Sequence, residues 1–146
     1  MKIALASDHA GFSEKERLKP LLNDLGLEVA DLGTVSEASV DYPDYGKKVG
    51  KSVVQTPGSK GILVCGSGIG VCISANKIRG IRAASSWDAT SARLSRQHND
   101  ANIVCIGARL TGLEVALEIT RTFLKTPFEG GRHQKRIDLI TRLEGL

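Results

Sequence analysis

Short apolar runs recur along the chain at residues 3–7, 27–32, 62–65, 81–85 and 103–107. Runs this short and this continuous read as buried strands. Helical spacing fills several of the gaps. Leu18, Leu21, Leu22 and Leu25 make one apolar stripe, with Ser13 and Glu16 spaced as a capping box. Pro20 lies inside that stripe and predicts a kink. Leu113, Ala116, Leu117, Thr120, Phe123 and Leu124 make a cleaner stripe, with Thr111 and Glu114 as its box. Residues 71–78 start a helix after the third strand, and a last helix runs from about Arg132 through Ile140 to Leu143.

Strands alternating with helices predict an α/β fold. The expected form is one three-layer domain over residues 1–146: a five-stranded, mostly parallel, Rossmann-like sheet with helices on both faces and a C-terminal helix. No linker, low-complexity tract or long repeat divides the chain. In such sheets ligands bind beyond the carboxyl ends of the strands, where strand order reverses. The polar residues following each run are therefore the candidates: Asp8 and His9, Gly33 and Thr34, the loop after Val64, Trp87 and Asp88, and Arg109.

The loop Cys65-Gly66-Ser67-Gly68-Ile69-Gly70 carries the most chemistry. A strand that breaks into a glycine cluster and then a helix turns bare backbone N–H groups toward one point, where an anion fits. A thiol at the lip and a hydroxyl within go beyond what binding needs. The bland alternatives are a tight turn and a small buried hydrophobe. A dinucleotide site needs the G-x-G-x-x-G spacing; here position 71 is Val, which argues against a nicotinamide or flavin cofactor.

Composition narrows the classes. With 41% hydrophobic and 25% charged residues, the 146-residue chain reads as an ordinary globular domain. Neither a signal peptide nor a membrane span is evident. The three cysteines, Cys65, Cys72 and Cys105, lack C-x-x-C spacing and leave an odd count, which suits a reducing cytoplasm. No metal-ligand spacing appears. A net charge of +4 favours anionic partners, but 4% aromatic content and no continuous basic face argue against nucleic acid. The basic cluster Arg132-His133-Gln134-Lys135-Arg136 suits a small phosphorylated ligand.

Several blocks, in order along nearly the whole chain, resemble the ribose-5-phosphate isomerase B family, which includes isomerases of galactose 6-phosphate and allose 6-phosphate. They are Ser7-Asp8-His9-Ala10-Gly11, Asp41-Tyr42-Pro43, the Cys65 loop with Ala75-Asn76-Lys77, Gly80-Ile81-Arg82-Ala83, Ser95-Arg96-Gln97-His98-Asn99-Asp100 and Gly130-Gly131-Arg132-His133. Ser67 stands where many members have Thr, and Val71-Cys72-Ile73-Ser74 departs from the small or apolar residues usual there. Members without the loop Cys use a Glu farther along; this chain has Cys65 and no Glu in residues 71–75, so it resembles the cysteine type.

The resemblance implies aldose–ketose isomerisation of ribose 5-phosphate and ribulose 5-phosphate through an enediolate, with no cofactor and no metal. It implies Cys65 as base, His98 as the acid/base that opens the furanose ring, and Ser67 assisting it. Asp8, Tyr42 and Asn99 would contact the sugar, and His9, Arg109, Arg132 and Arg136 its phosphate. Gly66, Gly68, Ile69 and Gly70 would supply the cradle. A homodimer, or a dimer of dimers, is implied, with His98, Asn99 and Arg109 reaching into a pocket whose Cys65 loop belongs to the partner. The residues alone leave blander readings open: a helix-end histidine for His98, a cap for Asp8, a turn-packing aromatic for Tyr42 and a solvated basic face for the arginines. A six-carbon sugar phosphate (allose or galactose 6-phosphate) as substrate, a non-catalytic sugar-phosphate sensor, and a nucleic-acid binder also stay open.

Overall fold

The computed structural model describes residues 1–145. Five strands, β1 (Lys2–Ser7), β2 (Glu28–Asp31), β3 (Lys60–Cys65), β4 (Ala83–Ser85) and β5 (Ile103–Gly107), form one sheet in the order β2-β1-β3-β5-β4. All four pairings are parallel. The helices are α1 (Phe12–Asp24), α2 (Tyr42–Gln55), α3 (Gly70–Ala75), α4 (Ala89–Asn99), α5 (Leu113–Lys125) and α6 (Arg132–Leu143). Among the described residues no helix is long and apolar enough to cross a membrane.

The central strands are apolar through their interiors, from Ile3 to Ala6, Gly61 to Cys65 and Ile103 to Gly107, because both sheet faces are covered. Ile3, Leu5, Ile62, Val64, Val104 and Ile106 face one core, packed with Leu18, Leu22, Ala92, Ile119 and Phe123 from α1, α4 and α5. The alternate residues Ala4, Ala6, Leu63, Cys65, Ile103 and Cys105 face a second core, packed with Val49, Val53, Val71 and Ala75 from α2 and α3. At the β2 edge, buried Lys15 donates to both Asp31 carboxylate oxygens, at 2.8 and 2.7 Å, and to the Thr34 carbonyl at 2.9 Å.

Two local expectations change, the capping boxes and the end of the helix after β3. Ser13 lies one residue inside α1, whose N-cap is Gly11, and Gly112 caps α5, so neither expected capping box forms. Instead Asp8 accepts from the Gly11 N–H at 3.1 Å, and the Thr111 hydroxyl donates to the Gly107 carbonyl at 3.0 Å. Helix α1 runs through Pro20 to Asp24. The helix after β3 stops at Ala75 rather than reaching residue 78.

Helices α2 and α4 carry too little apolar periodicity to be read from sequence. The buried stripe of α2 is Gly46, Val49, Gly50 and Val53, at helical spacing but half glycine. Those glycines let α2 press on its neighbours: a Cβ at Gly46 would lie 2.8 Å from the Ser74 Cβ, and one at Gly50 2.9 Å from Ile78 Cγ1. In α4 the buried residues are Ala92, Ser95 and Arg96, and its N-cap is Asp88, whose carboxylate accepts from the Ser91 N–H at 2.6 Å. Asp88 therefore caps a helix.

Candidate active site

Strand order reverses between β1 and β3, which lie side by side with Ser7 opposite Val64. Their carboxyl ends deliver Asp8, His9 and the Cys65 loop to one cavity of about 370 Å³. Its lining includes Asp8, His9, Tyr42, Cys65, Ser67 and Arg109. That is the location expected for a ligand in an open parallel sheet.

Each side chain there is held by local geometry. The Cys65 sulfur accepts from the Gly68 N–H at 3.1 Å, and the Ser67 hydroxyl oxygen accepts from the Ile69 N–H at 3.2 Å. Gly68 has φ +73°, and a Cβ there would come within 2.9 Å of the Gly107 N, so the loop needs glycine at this point. The amides of Gly68 and Ile69 thus serve the loop's own side chains, while those of Ser67 and Gly70 make no backbone hydrogen bond among the described residues. Ile69 is 47% exposed and does not line the cavity.

Asp8 is buried, with one carboxylate oxygen on the Gly11 N–H. The His9 Nδ1 accepts from the Val40 N–H at 3.2 Å, which fixes the neutral ring with its proton on Nε2, as a donor. Tyr42 is the first residue of α2 and lies against Gly70, where an added Cβ would be 2.6 Å from the ring. Arg109 folds over Gly66: its N–H donates to the Gly66 carbonyl at 2.9 Å, and a Cβ on Gly66 would lie 3.3 Å from its Nη1. Arg109 therefore belongs with its own chain's Cys65 loop, which corrects its expected grouping with His98 and Asn99.

His98, Asn99, Arg132 and Arg136 line a second cavity, of about 470 Å³, together with His133. Topology separates the two groups. Since β4 and β5 are parallel, α4 returns the chain from the carboxyl end of the sheet to its amino end. Over 11 residues that return spans about 16 Å at the helical rise. His98 and Asn99, at the far end of α4, therefore lie at the opposite edge of the sheet from Cys65 within one chain.

The end of α4 is firmly held. Arg96 donates to Asp100 at 2.7 Å and to the Ala101 carbonyl at 2.6 Å, and Arg82 donates to the Asn99 carbonyl at 2.9 Å. The ring of His98 stacks on that of His133, with centroids 4.5 Å apart and planes 14° from parallel. Burial, then the nearby His98 and Arg132, push the His133 pKa down. His133 belongs to the basic cluster of residues 132–136, whereas Glu129 carries no signal in the sequence. Glu129, His133 and His98 converge although no metal-ligand spacing is visible in the sequence.

The model of the ribose/galactose isomerase family matches residues 3–140. Ribose-5-phosphate isomerase B of Escherichia coli is 46% identical over 143 residues, covering 98% of this chain and 96% of that protein. The solved structure of Clostridium thermocellum ribose-5-phosphate isomerase B is 47% identical, with a TM-score of 0.97 over 99% of this chain and 98% of that one. A Mycoplasma genitalium ribose-5-phosphate isomerase B, solved with bound ribulose 5-phosphate, is 41% identical, with a TM-score of 0.95 over 99% and 96% of the two chains.

Proposed function

The chain belongs to the ribose/galactose isomerase family and is an isomerase, and we propose that it interconverts ribose 5-phosphate and ribulose 5-phosphate through an enediolate, with Cys65 as base. One observation carries the reading: the Cys65 sulfur, held by the Gly68 N–H at 3.1 Å, opens on a cavity with Ser67, Asp8, His9, Tyr42 and Arg109. The relative that holds ribulose 5-phosphate supports the choice of substrate.

The chemistry follows from these groups. The Cys65 thiolate takes the C2 proton of the open-chain aldose, the aldehyde oxygen becomes a hydroxyl, and the same sulfur returns a proton to C1. The hydroxyl proton on O2 leaves as O1 gains one. Ser67 suits that exchange, because its oxygen already accepts from Ile69 N–H and its own proton stays free to donate. Charge on the intermediate falls to the amides of Ser67 and Gly70, where one well-aimed donor contributes roughly 3 kcal/mol. Asp8 takes sugar hydroxyls through its second oxygen, and Tyr42 walls the site. His9 Nε2–H and Arg109 meet the phosphate.

Ring opening needs an acid/base beside the ring oxygen, and the first cavity's own histidine faces the phosphate instead. His98 fits that role when a second copy of the chain brings its α4 end to the Cys65 loop, with Asn99, Arg132 and Arg136 beside it. Two such pockets then form per symmetric dimer.

A coupled assay with ribose 5-phosphate after exhaustive chelation tests the function, with allose 6-phosphate as comparison. Turnover of the pentose is expected to survive chelation. Activity that vanished with the chelator and returned with a divalent ion would overturn the metal-free route, and preference for the hexose would overturn the substrate.

A further inference from the structure

We propose that the amino end of the sheet carries a second anion site, for a phosphate-class dianion, between the start of β3 and the end of α4. A cavity of about 260 Å³ opens there, and its lining includes Lys60, Arg82, Arg96, Asp100, Ser59 and Asn102. Lys60 begins β3, whereas the thiol loop leaves the same strand at its other end. The length of that strand puts roughly 17 Å between Lys60 and Cys65. None of the lining residues is among those proposed to contact the substrate.

Three cations share one carboxylate in this cavity. Asp100 accepts from Arg96 at 2.7 Å and from Arg82 at 3.2 Å. Lys60 has no oxygen acceptor among the described residues, and its ammonium meets only the Met1 sulfur, at 3.8 Å. The cluster is not a solvated face, because the Arg96 side chain is 8% exposed and that of Arg82 23%. Burial and the nearby Arg96 push the Lys60 pKa down, against the pull of Asp100. A half-buried cation beside like charges is unfavourable until an anion completes the group. Three positive charges against one negative suit a dianion, and guanidinium and ammonium donors suit its oxygens. Arg82 Nη1 and Arg96 Nη2 donate to nothing among the described residues. The neutral groups are already engaged: the Ser59 hydroxyl donates to the Val53 carbonyl at 3.3 Å, and the Asn102 amide to the Gly80 carbonyl at 2.9 Å. The frame is fixed, since Gly61 N–H donates to the Asn102 carbonyl and Arg82 N–H to the Asn102 side-chain oxygen, both at 2.8 Å. Through Arg82 and the Asn99 carbonyl, the site adjoins the helix end that carries His98.

The test is a titration of the isotope-labelled full chain with sodium sulfate, a stand-in for the phosphate dianion. It is read by NMR at the backbone amides of Ser59 and Asn102, against sodium chloride at equal ionic strength. Saturable shifts are expected with sulfate and not with chloride. Lys60→Gln removes one charged donor and should weaken binding at these amides about tenfold or more. The Lys60 side chain holds no other element in place, so this variant should fold. Lys60→Arg should keep the affinity, and Arg132→Ala, in the other basic cavity, should leave it unchanged. Equal shifts in chloride, no saturation by about 0.1 M sulfate, or unaltered affinity in Lys60→Gln would each overturn the site. Inorganic phosphate and glycerol phosphate then separate the two sources of such a group. Equal affinity assigns the site to the free oxyanion, tighter binding of the ester assigns it to a phosphorylated small molecule, and either result upholds it.

Discussion

The backbone N–H of Gly68 points at the sulfur of Cys65 across 3.1 Å, and it does so from a left-handed conformation that a Cβ would not tolerate. That contact fixes where the sulfur stands at the lip of the cavity. The loop thus positions, at the carboxyl end of β3, the sulfur proposed as the base.

Cys65→Ala removes that base while leaving Arg109, His9 and the Ser67 and Gly70 amides in place. Isomerisation of ribose 5-phosphate should fall by about 10²- to 10⁴-fold, the usual contribution of a positioned acid/base. Binding of a non-isomerisable sugar phosphate, followed by calorimetry, should change little. Near-wild-type turnover in this variant would remove Cys65 from the chemistry.

The thiol loop was legible in sequence because its strand is buried on both faces and its glycines stand where the chain must turn. Residues following β1, β3 and β5 were legible for the same reason: the strand-end rule needs only the strands. His98 was legible only through the block of residues 95–100 that carries the resemblance, since it lies on a helix whose buried face is Ala92, Ser95 and Arg96, without apolar periodicity. Helix α2 hid likewise behind Gly46 and Gly50. A stripe of small residues at helical spacing was the available signal. Glu129 gave none and His133 stood only as a member of the basic cluster, because their meeting with His98 depends on how α6 and the loop before it lie against α4.

A pocket shared between copies makes a prediction that no single-chain pocket makes. A chain with Cys65→Ala keeps its own His98, and a chain with His98→Asn keeps its own Cys65. Mixed by co-refolding, they should regain activity, because each hybrid dimer holds one complete pocket. With random pairing half the dimers are hybrids and half their pockets are intact, so recovery should approach about a quarter of wild-type activity. If the mixture stays as inactive as its parents, the two residues act within one chain.

Cys72 lies behind the loop, on α3. A hydrogen bond from the buried Cys105 thiol lowers its pKa to about 6, against opposing burial and with help from Ser85. Burial pushes Cys105 upward. Labelling of Cys72 by iodoacetamide, followed by mass spectrometry, should rise to half its maximum near pH 6, while Cys105 stays unlabelled. An acid whose folded pKa lies below its unfolded one stabilises the fold fully above the unfolded value, about 8.5, and loses that contribution as pH falls through the folded value. Cys72→Ala should therefore flatten the rise of stability between pH about 6 and about 8.5, with turnover nearly unchanged. A labelling midpoint at the ordinary thiol pKa would contradict the Cys105 contact.

The role proposed for His98 separates ring opening from enolisation, and the two sugars differ in what they require. Ribose 5-phosphate closes to a furanose and must be opened. Ribulose 5-phosphate cannot form the usual furanose, because its 5-oxygen is esterified, so it meets Cys65 already open. His98→Asn should therefore slow turnover of ribose 5-phosphate far more than exchange of the ketose C1 proton with deuterated water. Net reverse turnover is no test, since at equilibrium both directions must slow together. Exchange is the sensitive readout, because enolisation returns the C1 proton without any ring closing. Proton NMR of the ketose in deuterated buffer follows it directly. The stacked His133 and the clamped Asn99 carbonyl hold the end of α4 in the variant, so Asn should keep the local fold while removing the titratable group. Should C1 exchange collapse in parallel with aldose turnover, His98 would have to serve enolisation as well, and the division of labour with Cys65 would fail.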